Sequence, residues 1–339
     1  MKRVLAIAAT LGVLAVLDLT LARVLNPYVF RVLMLCGINI ILAVSLNLVN
    51  GFTGQFSIGH AGFMAVGAYT SAVFTLHAGR PWVAGLEAAG VPAPLAQGAA
   101  LLVALFLGGS LAAVAGYLVG LPSLRLRGDY LAIVTLGFGE IIRVVIQNLD
   151  ITGRALGLSG IPGWVNFFWV FVVVVAVILL SVNLAHSTHG RALFAIRDDE
   201  VAAEALGVNT TAYKVFAFVI GAFFAGVAGG LSVHLLSVAS PDSFTFLRSI
   251  EVIAMVVLGG LGSVSGAVLA AIVLTLLPEV LRPVQQYRMV IYSLMLIVLM
   301  VTRPQGLLGN RELRLPWRRR PGGPPASMTP AASAAKGAA

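Results

Sequence analysis

Charged residues are scarce in this chain. Asp, Glu, Lys and Arg make up 10% of its 339 residues, whereas 59% are hydrophobic and the mean hydropathy is +0.98. Soluble domains average about 25% charged residues. The composition therefore excludes a soluble domain and predicts an integral membrane protein.

Regular alternation of apolar and polar residues is also lacking. Outer-membrane barrels are built from such alternating segments, so this absence argues against a barrel. Helices are the other structure that satisfies every backbone polar group in lipid. We therefore predict an all-α membrane protein, a polytopic bundle of transmembrane helices in the lipid bilayer.

The chain has few groups for redox, metal or phosphate chemistry. Cys36 is its one cysteine, so a disulfide framework and a cysteine-based metal site are excluded, and we interpret Cys36 as a small buried hydrophobe. The phosphate-binding pattern Gly-x-x-x-x-Gly-Lys-Ser/Thr does not occur. We expect no cofactor, no metal and no ATP hydrolysis by this chain.

Ten apolar stretches, bounded by polar or Gly/Pro-rich sequence, are present instead. A bilayer-spanning helix needs about 20 mostly apolar residues. The first stretch resembles a signal peptide, but it continues for nearly a full span without a clear cleavage site, so we interpret it as a retained helix. The eighth and tenth stretches are short and could be tilted, broken or re-entrant. The predicted spans are 4–22, 29–49, 62–77, 98–121, 130–149, 165–185, 214–236, 244–259, 264–281 and 287–302.

The net charge of +9 fits a membrane topology better than nucleic-acid binding, because the basic residues lie in short loops and a tail. Ten spans place both termini on the same side. With cytoplasmic termini, fourteen of the twenty-two Lys and Arg residues are cytoplasmic, which is the expected bias. We predict one transmembrane domain, 1–315, and a disordered basic, Ala/Pro-rich cytoplasmic tail, 316–339.

Two glycine-rich stretches interrupt the apolar pattern, at 51–62 and 259–266. Four glycines in the first make a continuous helix costly, and irregular backbone at membrane depth is tolerated where it lines a cavity or is buried in protein. A lining of the transport path and a tight turn with close helix packing fit equally well, and an inverted repeat is conceivable. The candidate path residues are Gly54, Gln55, Ser57, His60, Gly260 and Ser263.

Ionisable residues occur in pairs inside two predicted spans. Glu140 and Arg143 lie in the fifth span, and Arg248 and Glu251 repeat the same spacing in the eighth. Residues at i and i+3 share a helix face and can neutralise each other. Intramembrane charges are functional candidates, in a gating or proton-coupling network. We favour the alternative, ion pairs that fix helix packing.

A charged insert, about 186–214, separates the sixth and seventh spans. Asp198, Asp199 and Glu200 suit a helix N-terminus and Gly207 suits a C-cap, which predicts one short helix between them. Val201, Ala205 and Leu206 would form its apolar face. So short a helix is marginal alone in water, so we expect it to dock on a partner rather than serve as a solvated connector.

Several motifs, taken in order, resemble the LivM-type permeases of branched-chain amino acid ABC importers. They comprise Leu46-Asn47-Leu48, the stretch from Gly51 to Tyr69, Leu126 to Tyr130, Gly190-Arg191-Ala192, Ile196-Arg197-Asp198, and Gly259 to Ser263. The resemblance extends over about residues 30–310.

The resemblance implies the pore subunit of an importer in the bacterial plasma membrane. Such a subunit pairs with a second permease, two cytoplasmic ATPases and an extracytoplasmic substrate-binding protein. Glu204-Ala205-Leu206-Gly207 matches the end of the helix that docks on the ATPase in such importers. By resemblance, the ATPase-coupling residues are Arg197, Asp198, Asp199, Glu200, Glu204, Ala205 and Gly207.

The expected function is therefore ATP-driven import of branched-chain amino acids by alternating access. Urea or short amides are the alternative cargo within this importer class. A proton-coupled secondary transporter, with Glu140 or Glu251 as the titrating group, and a membrane scaffold that transports nothing are the rival classes.

Overall fold

The computed structural model describes residues 2–124, 126 and 128–282, and beyond these only positions 287, 290, 291, 293, 294, 297, 298, 302, 306 and 307. Within these residues the chain forms α-helices joined by short irregular segments and one two-stranded ribbon. The helices are α1 (Lys2–Val24), α2 (Pro27–Asn50), α3 (His60–Phe74), α4 (Arg80–Ala88), α5 (Ala93–Ser123), α6 (Asp129–Asn148), α7 (Phe167–Ala185), α8 (Thr188–Asp198), α9 (Glu200–Ala205), α10 (Thr210–Leu236), α11 (Phe246–Gly259) and α12 (Val264–Val280).

The helical membrane fold predicted from the sequence is confirmed. Nine of the predicted spans coincide with α1, α2, α3, α5, α6, α7, α10, α11 and α12. Four helices, α2, α5, α7 and α10, are long and apolar enough by themselves to cross a membrane. The tenth predicted span, 287–302, falls largely outside the described residues, and the predicted tail, 316–339, falls entirely outside them.

The prediction was wrong for the chain that follows the third span. A π-helical turn, Thr75–Gly79, continues α3 directly into α4, which no predicted span includes. Helix α4 contains Arg80, Pro81 and Glu87, and it is too short and too polar to appear as an apolar span. Most of its side chains, including Trp82, are exposed, and it packs on the beginning of α5 through Val83.

The connecting segments gather at two opposite ends of the bundle. At one end, the segment after α2 meets the segment before α12, where Asn47 Oδ1 accepts a hydrogen bond from the Gly262 amide at 2.9 Å. At the other end, strand β1 (Leu158–Ser159) pairs antiparallel with β2 (Val238–Ala239). The Tyr69 hydroxyl donates to the Ala239 carbonyl at 3.0 Å, which fixes this ribbon to α3.

Helices α2 and α10 form the centre of the bundle. Every residue of α2 from Cys36 to Asn50 is buried, and α10 is buried along most of its length. Helix α10 packs on α2, α3 and α5, and α2 packs on α7, α11 and α12.

Glycines allow α3, α5 and α10 to approach until their backbones touch. A Cβ added at Gly67 of α3 would lie 2.2 Å from the Gly226 Cα of α10, and one added at Gly108 of α5 would lie 2.6 Å from the Gly67 carbonyl oxygen. Small residues at helix crossings permit close packing, which drives helix association in lipid. The three helices therefore form one tightly packed unit.

We expect Gly67→Ala to destabilise the bundle by about 1–3 kcal/mol, the usual effect of overpacking, because the new methyl group meets backbone that cannot rotate away. Gly85→Ala in α4 is the matched control, since nothing lies within 4 Å of its added Cβ. Denaturant unfolding of the two purified variants in detergent measures the difference. Equal stability of the two variants would contradict the proposed backbone contact.

Candidate transport and coupling site

The two glycine-rich stretches, separated by about 200 residues in sequence, meet at one end of the bundle. A Cβ added at Gly51 would lie 2.4 Å from the Gly262 amide nitrogen. Gly54, Gly260 and Gly262 have positive φ angles of 70°, 105° and 88°. These turns require glycine, because other residues rarely adopt that conformation.

Arg197, at the end of α8, joins this pair of stretches to the charged insert. Its Nη1 donates to the Gly51 carbonyl at 3.3 Å, and its Nη2 lies 3.1 Å from Asp198 Oδ1. The guanidinium also lies over the Phe194 ring, 5.1 Å from its centroid. Phe194 in turn packs on the buried Phe52, with ring centroids 5.0 Å apart. One side chain thus contacts the insert and the segment that follows α2.

The insert contains two helices, where the sequence predicted one. Helix α8 ends at Asp198, so placing Asp198 at the start of the docking helix was wrong. The sequence analysis missed α8 because Thr188, His189, Gly190 and Arg191 make its beginning polar. Its inner face is nevertheless apolar, with Leu193 and Ile196 at 0% and 3% exposure.

The N-cap and C-cap of the second helix, α9, follow the prediction at Asp199, Glu200 and Gly207. Asp199 is its N-cap, and Asp199 Oδ1 accepts a hydrogen bond from the Ala202 amide at 3.0 Å. Glu200 is its first residue, where a carboxylate is favoured by the helix dipole. Gly207 follows its end with a φ of +83° and donates to the Glu204 carbonyl at 2.9 Å.

Two carboxylates fix α9 to the beginning of α10. Lys214 Nζ lies 2.7 Å from Glu200 Oε1, and the lysine side chain is only 5% exposed. Thr210 Oγ1 donates to Glu204 Oε1 at 2.7 Å. Removing one partner of a buried ion pair leaves an uncompensated charge, which makes such a pair hard to break. Movement of α9 is therefore tied to the central helix.

The opposite face of α9 is apolar and exposed. Val201 and Leu206 are 64% and 84% exposed, and Ala205 and Gly207 are exposed beside them. Ala203, on the inner face, is 2% exposed. This is the apolar face that the sequence predicted. Its docking on a partner stays a prediction.

The candidate path residues are mostly enclosed by protein. Gln55, Ser57 and His60 are 6%, 2% and 3% exposed, and His60 Nε2 lies 3.0 Å from Ser45 Oγ. Gly260 is buried, Gly54 is exposed, and the Ser263 side chain caps α12 by accepting from the Gly266 amide at 3.1 Å. These positions agree with the close-packing alternative, and a role in transport stays a prediction.

The contact of the two glycine-rich stretches with each other and with Arg197 is called the junction below. Several buried side-chain amide atoms near it have no hydrogen-bond partner among the described residues. They are Asn47 Nδ2, Asn50 Nδ2 and both polar atoms of the Gln55 side chain. A buried polar group without a partner costs about 1–3 kcal/mol. Since native proteins retain few such groups, those that remain often mark a functional position.

Side chains of neighbouring helices satisfy backbone amides where α3 and α11 begin. The Ile58 amide, just before α3, donates to Thr135 Oγ1 at 3.1 Å, and the Ala61 amide in its first turn donates to Ser249 Oγ at 2.9 Å. The Phe246 amide at the start of α11 donates to Glu140 Oε1 at 3.3 Å. Sequence reasoning missed Thr135 and Ser249, because single hydroxyls in apolar stretches give no distinctive signal.

Both predicted intramembrane ion pairs form. Glu140 Oε2 lies 2.8 Å from Arg143 Nε, and Glu251 Oε2 lies 2.8 Å from Arg248 Nη1. The Glu140 and Arg143 side chains are 30% and 24% exposed. The Glu251 and Arg248 side chains are 50% and 23% exposed. Neither pair is fully buried, and Glu251 is the most exposed of the four side chains.

A cavity of about 560 Å³ opens between α3, α5 and α6. Its walls are almost entirely apolar, and none of the candidate path residues lines it. It is therefore suited to a hydrocarbon chain rather than to a polar solute. The lining residues include Val66, Val73, Leu111, Ile141, Val145 and Ile151.

A polytopic bundle of apolar helices, with a short helix at one end whose apolar face is exposed, is typical of a membrane permease. The chain belongs to the family described as the permease component of branched-chain amino acid transport systems, whose family model matches residues 28–301. No solved structure matches the chain significantly.

Named relatives agree with this assignment. The chain is 39% identical over 306 residues to the high-affinity branched-chain amino acid permease proteins LivM of Salmonella typhimurium and of Escherichia coli, covering 80% of this chain and 68% of each relative. It is also 32% identical over 148 residues to LivH of Escherichia coli, covering 43% of this chain and 47% of that protein.

We expect Arg197→Ala to loosen the contact between α8 and the segment after α2. Amide hydrogen exchange in residues 51–56 and 260–263 should become up to about tenfold faster, which corresponds to losing one hydrogen bond to a charged group. Arg191→Ala is the control, because the hydrogen bond that the Arg191 side chain makes among the described residues is local, to Thr188 Oγ1 at 3.3 Å. Unchanged exchange in the Arg197 variant would show that Arg197 does not stabilise the junction.

Proposed function

We propose that this chain is the permease subunit of an ATP-driven importer of branched-chain amino acids. The observation that carries the proposal is α9, a helix with an exposed apolar face whose other face is fixed to α10 by the pairs Glu200–Lys214 and Glu204–Thr210. Family membership and the printed names of the LivM relatives support the choice of cargo. The chain itself hydrolyses no ATP, since it has no phosphate-binding loop.

The proposed assembly contains a second permease, two cytoplasmic ATPases and an extracytoplasmic substrate-binding protein. The similarity of this chain to LivH as well as to LivM supports a pair of related permeases. The end that carries α9 faces the cytoplasm of a bacterium, with both termini on that side, and the ribbon of β1 and β2 faces outward. The positive charges of the insert and tail support this orientation in the plasma membrane.

Coupling follows from the contacts of the insert. An ATPase that binds Val201 and Leu206 moves α9, and the Glu200–Lys214 pair passes that movement to α10. The movement of α9 also reaches α8, which precedes it in the chain. Arg197 at the end of α8 passes this movement to the glycine-rich segments at Gly51 and Gly262. Closure of the ATPases is thereby converted into rearrangement at the cytoplasmic end of the path.

We expect ATP-dependent leucine uptake into proteoliposomes only when this chain is reconstituted with its partner permease, both ATPases and the binding protein. Radiolabelled leucine accumulation measures the activity, and omission of ATP or of either permease is the control. Excess isoleucine or valine should compete, whereas urea and acetamide should not.

Uptake by this chain alone under a proton gradient would overturn the proposal in favour of a secondary transporter. Competition by urea or acetamide, without competition by isoleucine, would keep the importer class and replace the cargo.

We expect the double substitution Val201→Asp and Leu206→Asp to abolish co-purification of the ATPases, with a loss of affinity of about tenfold or more, because charges replace the exposed apolar contact face. Leu156→Asp is the matched control, since Leu156 is 94% exposed but lies at the opposite end of the bundle. Pull-down from detergent extracts with equal permease levels measures the effect. Retention of the ATPases by the double variant would show that they bind elsewhere.

A further inference from the structure

The ion pair of α11 lies level with the middle of α2, one of the helices long and apolar enough to cross a membrane. Arg248 donates to Asn39 Oδ1, and Asn39 is near the midpoint of α2. Asn39 Nδ2 donates to Thr275 Oγ1 of α12 at 2.8 Å. Helix α11, with 14 residues, is only about 21 Å long, shorter than a hydrocarbon core of about 30 Å. Asn39 of α2 thus holds Arg248 at this level, Thr275 of α12 holds Asn39, and Glu251 is held through its pair with Arg248.

The carboxylates of the two ion pairs, Glu140 in α6 and Glu251 in α11, make different contacts. Glu140 uses Oε2 for Arg143 and Oε1 for the Phe246 amide, so both carboxylate oxygens serve the packing of α6 against α11. Glu251 pairs with Arg248 through Oε2, yet half of its side chain remains exposed. Packing therefore explains Glu140 fully, and it explains Arg248 through Asn39, but it does not account for the half-exposed Glu251.

An exposed charge at membrane depth is costly when it faces hydrocarbon, so intramembrane charges face a bundle interior or a water-filled path. Leu247 and Ile250, beside the pair on α11, are 58% and 46% exposed. This surface thus offers a cation, an anion and an aliphatic patch together. It contains the complementary groups for an aliphatic α-amino acid, which has a carboxylate, an ammonium group and a branched apolar side chain.

We propose that Arg248 and Glu251 form a contact site for the zwitterionic head group of the transported amino acid. Arg248 takes the α-carboxylate, Glu251 takes the α-ammonium group, and Asn39 holds the guanidinium in place. Leu247 and Ile250 contact the aliphatic side chain. This inference rests on the proposed function and adds to it the surface that the substrate meets on its path.

Reversing the pair tests the inference. The variant Arg248→Glu with Glu251→Arg keeps an i, i+3 ion pair on the same helix face but exchanges the positions of the two charges. We expect leucine uptake by the complete importer to fall about tenfold or more, as for loss of charge-assisted hydrogen bonds to the substrate. Glu251→Gln, which keeps the shape of the side chain, should also lower uptake, and it carries the test if the reversed variant fails to accumulate in the membrane.

The exposed pair Asp150 and Arg154, whose N–O distance is 2.6 Å, is the matched control, and its reversal should leave uptake unchanged. Thermal unfolding, co-purification of the second permease and basal ATP hydrolysis are measured for each variant. Near-normal values of all three, together with lost uptake, support the contact site.

Full uptake by Glu251→Gln or by the reversed pair would overturn the inference and leave the pair as a packing device. Loss of the second permease from the complex would overturn it too, because the pair would then be a subunit contact. If the unmodified importer transports no leucine, the proposed function fails instead, so the two failures are distinguishable.

Discussion

The backbone contact of α10 with α3 and α5 is the constraint on which the rest of the structure depends. Hydrocarbon provides no hydrophobic force between helices, so close van der Waals packing must hold them together. Gly67, Gly108 and Gly226 make that packing possible, because a Cβ at any of them would lie within 3 Å of a neighbouring atom. With α10 fixed at the centre, its first residues hold α9 at one end, and its last residues lead into the ribbon of β1 and β2 at the other.

The segments with irregular backbone lie at the ends of this close-packed unit, and two of them meet at the end for which the coupling function is proposed. The stretches near Gly51 and Gly262 are joined by Asn47, and Arg197 connects them to α8. Buried amides of Asn50 and Gln55 find no partner there among the described residues. Unsatisfied buried polar groups are costly, so the packing there is weaker than in the close-packed unit of α3, α5 and α10. This difference agrees with the proposed function, in which these segments rearrange while the helices stay rigid.

Some features could be predicted from sequence because their signals are local. The spans of α2, α5, α7 and α10 follow from apolar length, and the caps Asp199 and Gly207 follow from residue type. The i, i+3 spacing predicted that Glu140 pairs with Arg143 and Glu251 with Arg248, and both ion pairs form. Helices α4 and α8 were missed because each is short and partly polar, and its stability comes from contacts such as those of Val83, Leu193 and Ile196. Thr135 and Ser249 were missed for a related reason, since their partners are the amides of Ile58 and Ala61, distant in sequence.

The sequence by itself determined the membrane environment, the helical class and the family, because composition, apolar length and ordered motifs carry that information along the chain. Only the tertiary structure decided which charges are enclosed and which are exposed. Glu140 and Glu251 have the same spacing to an arginine, yet one caps α11 and the other lies half exposed beside Leu247. The difference arises from the neighbouring helices, which set what each carboxylate can contact, and spacing along a single helix cannot encode it.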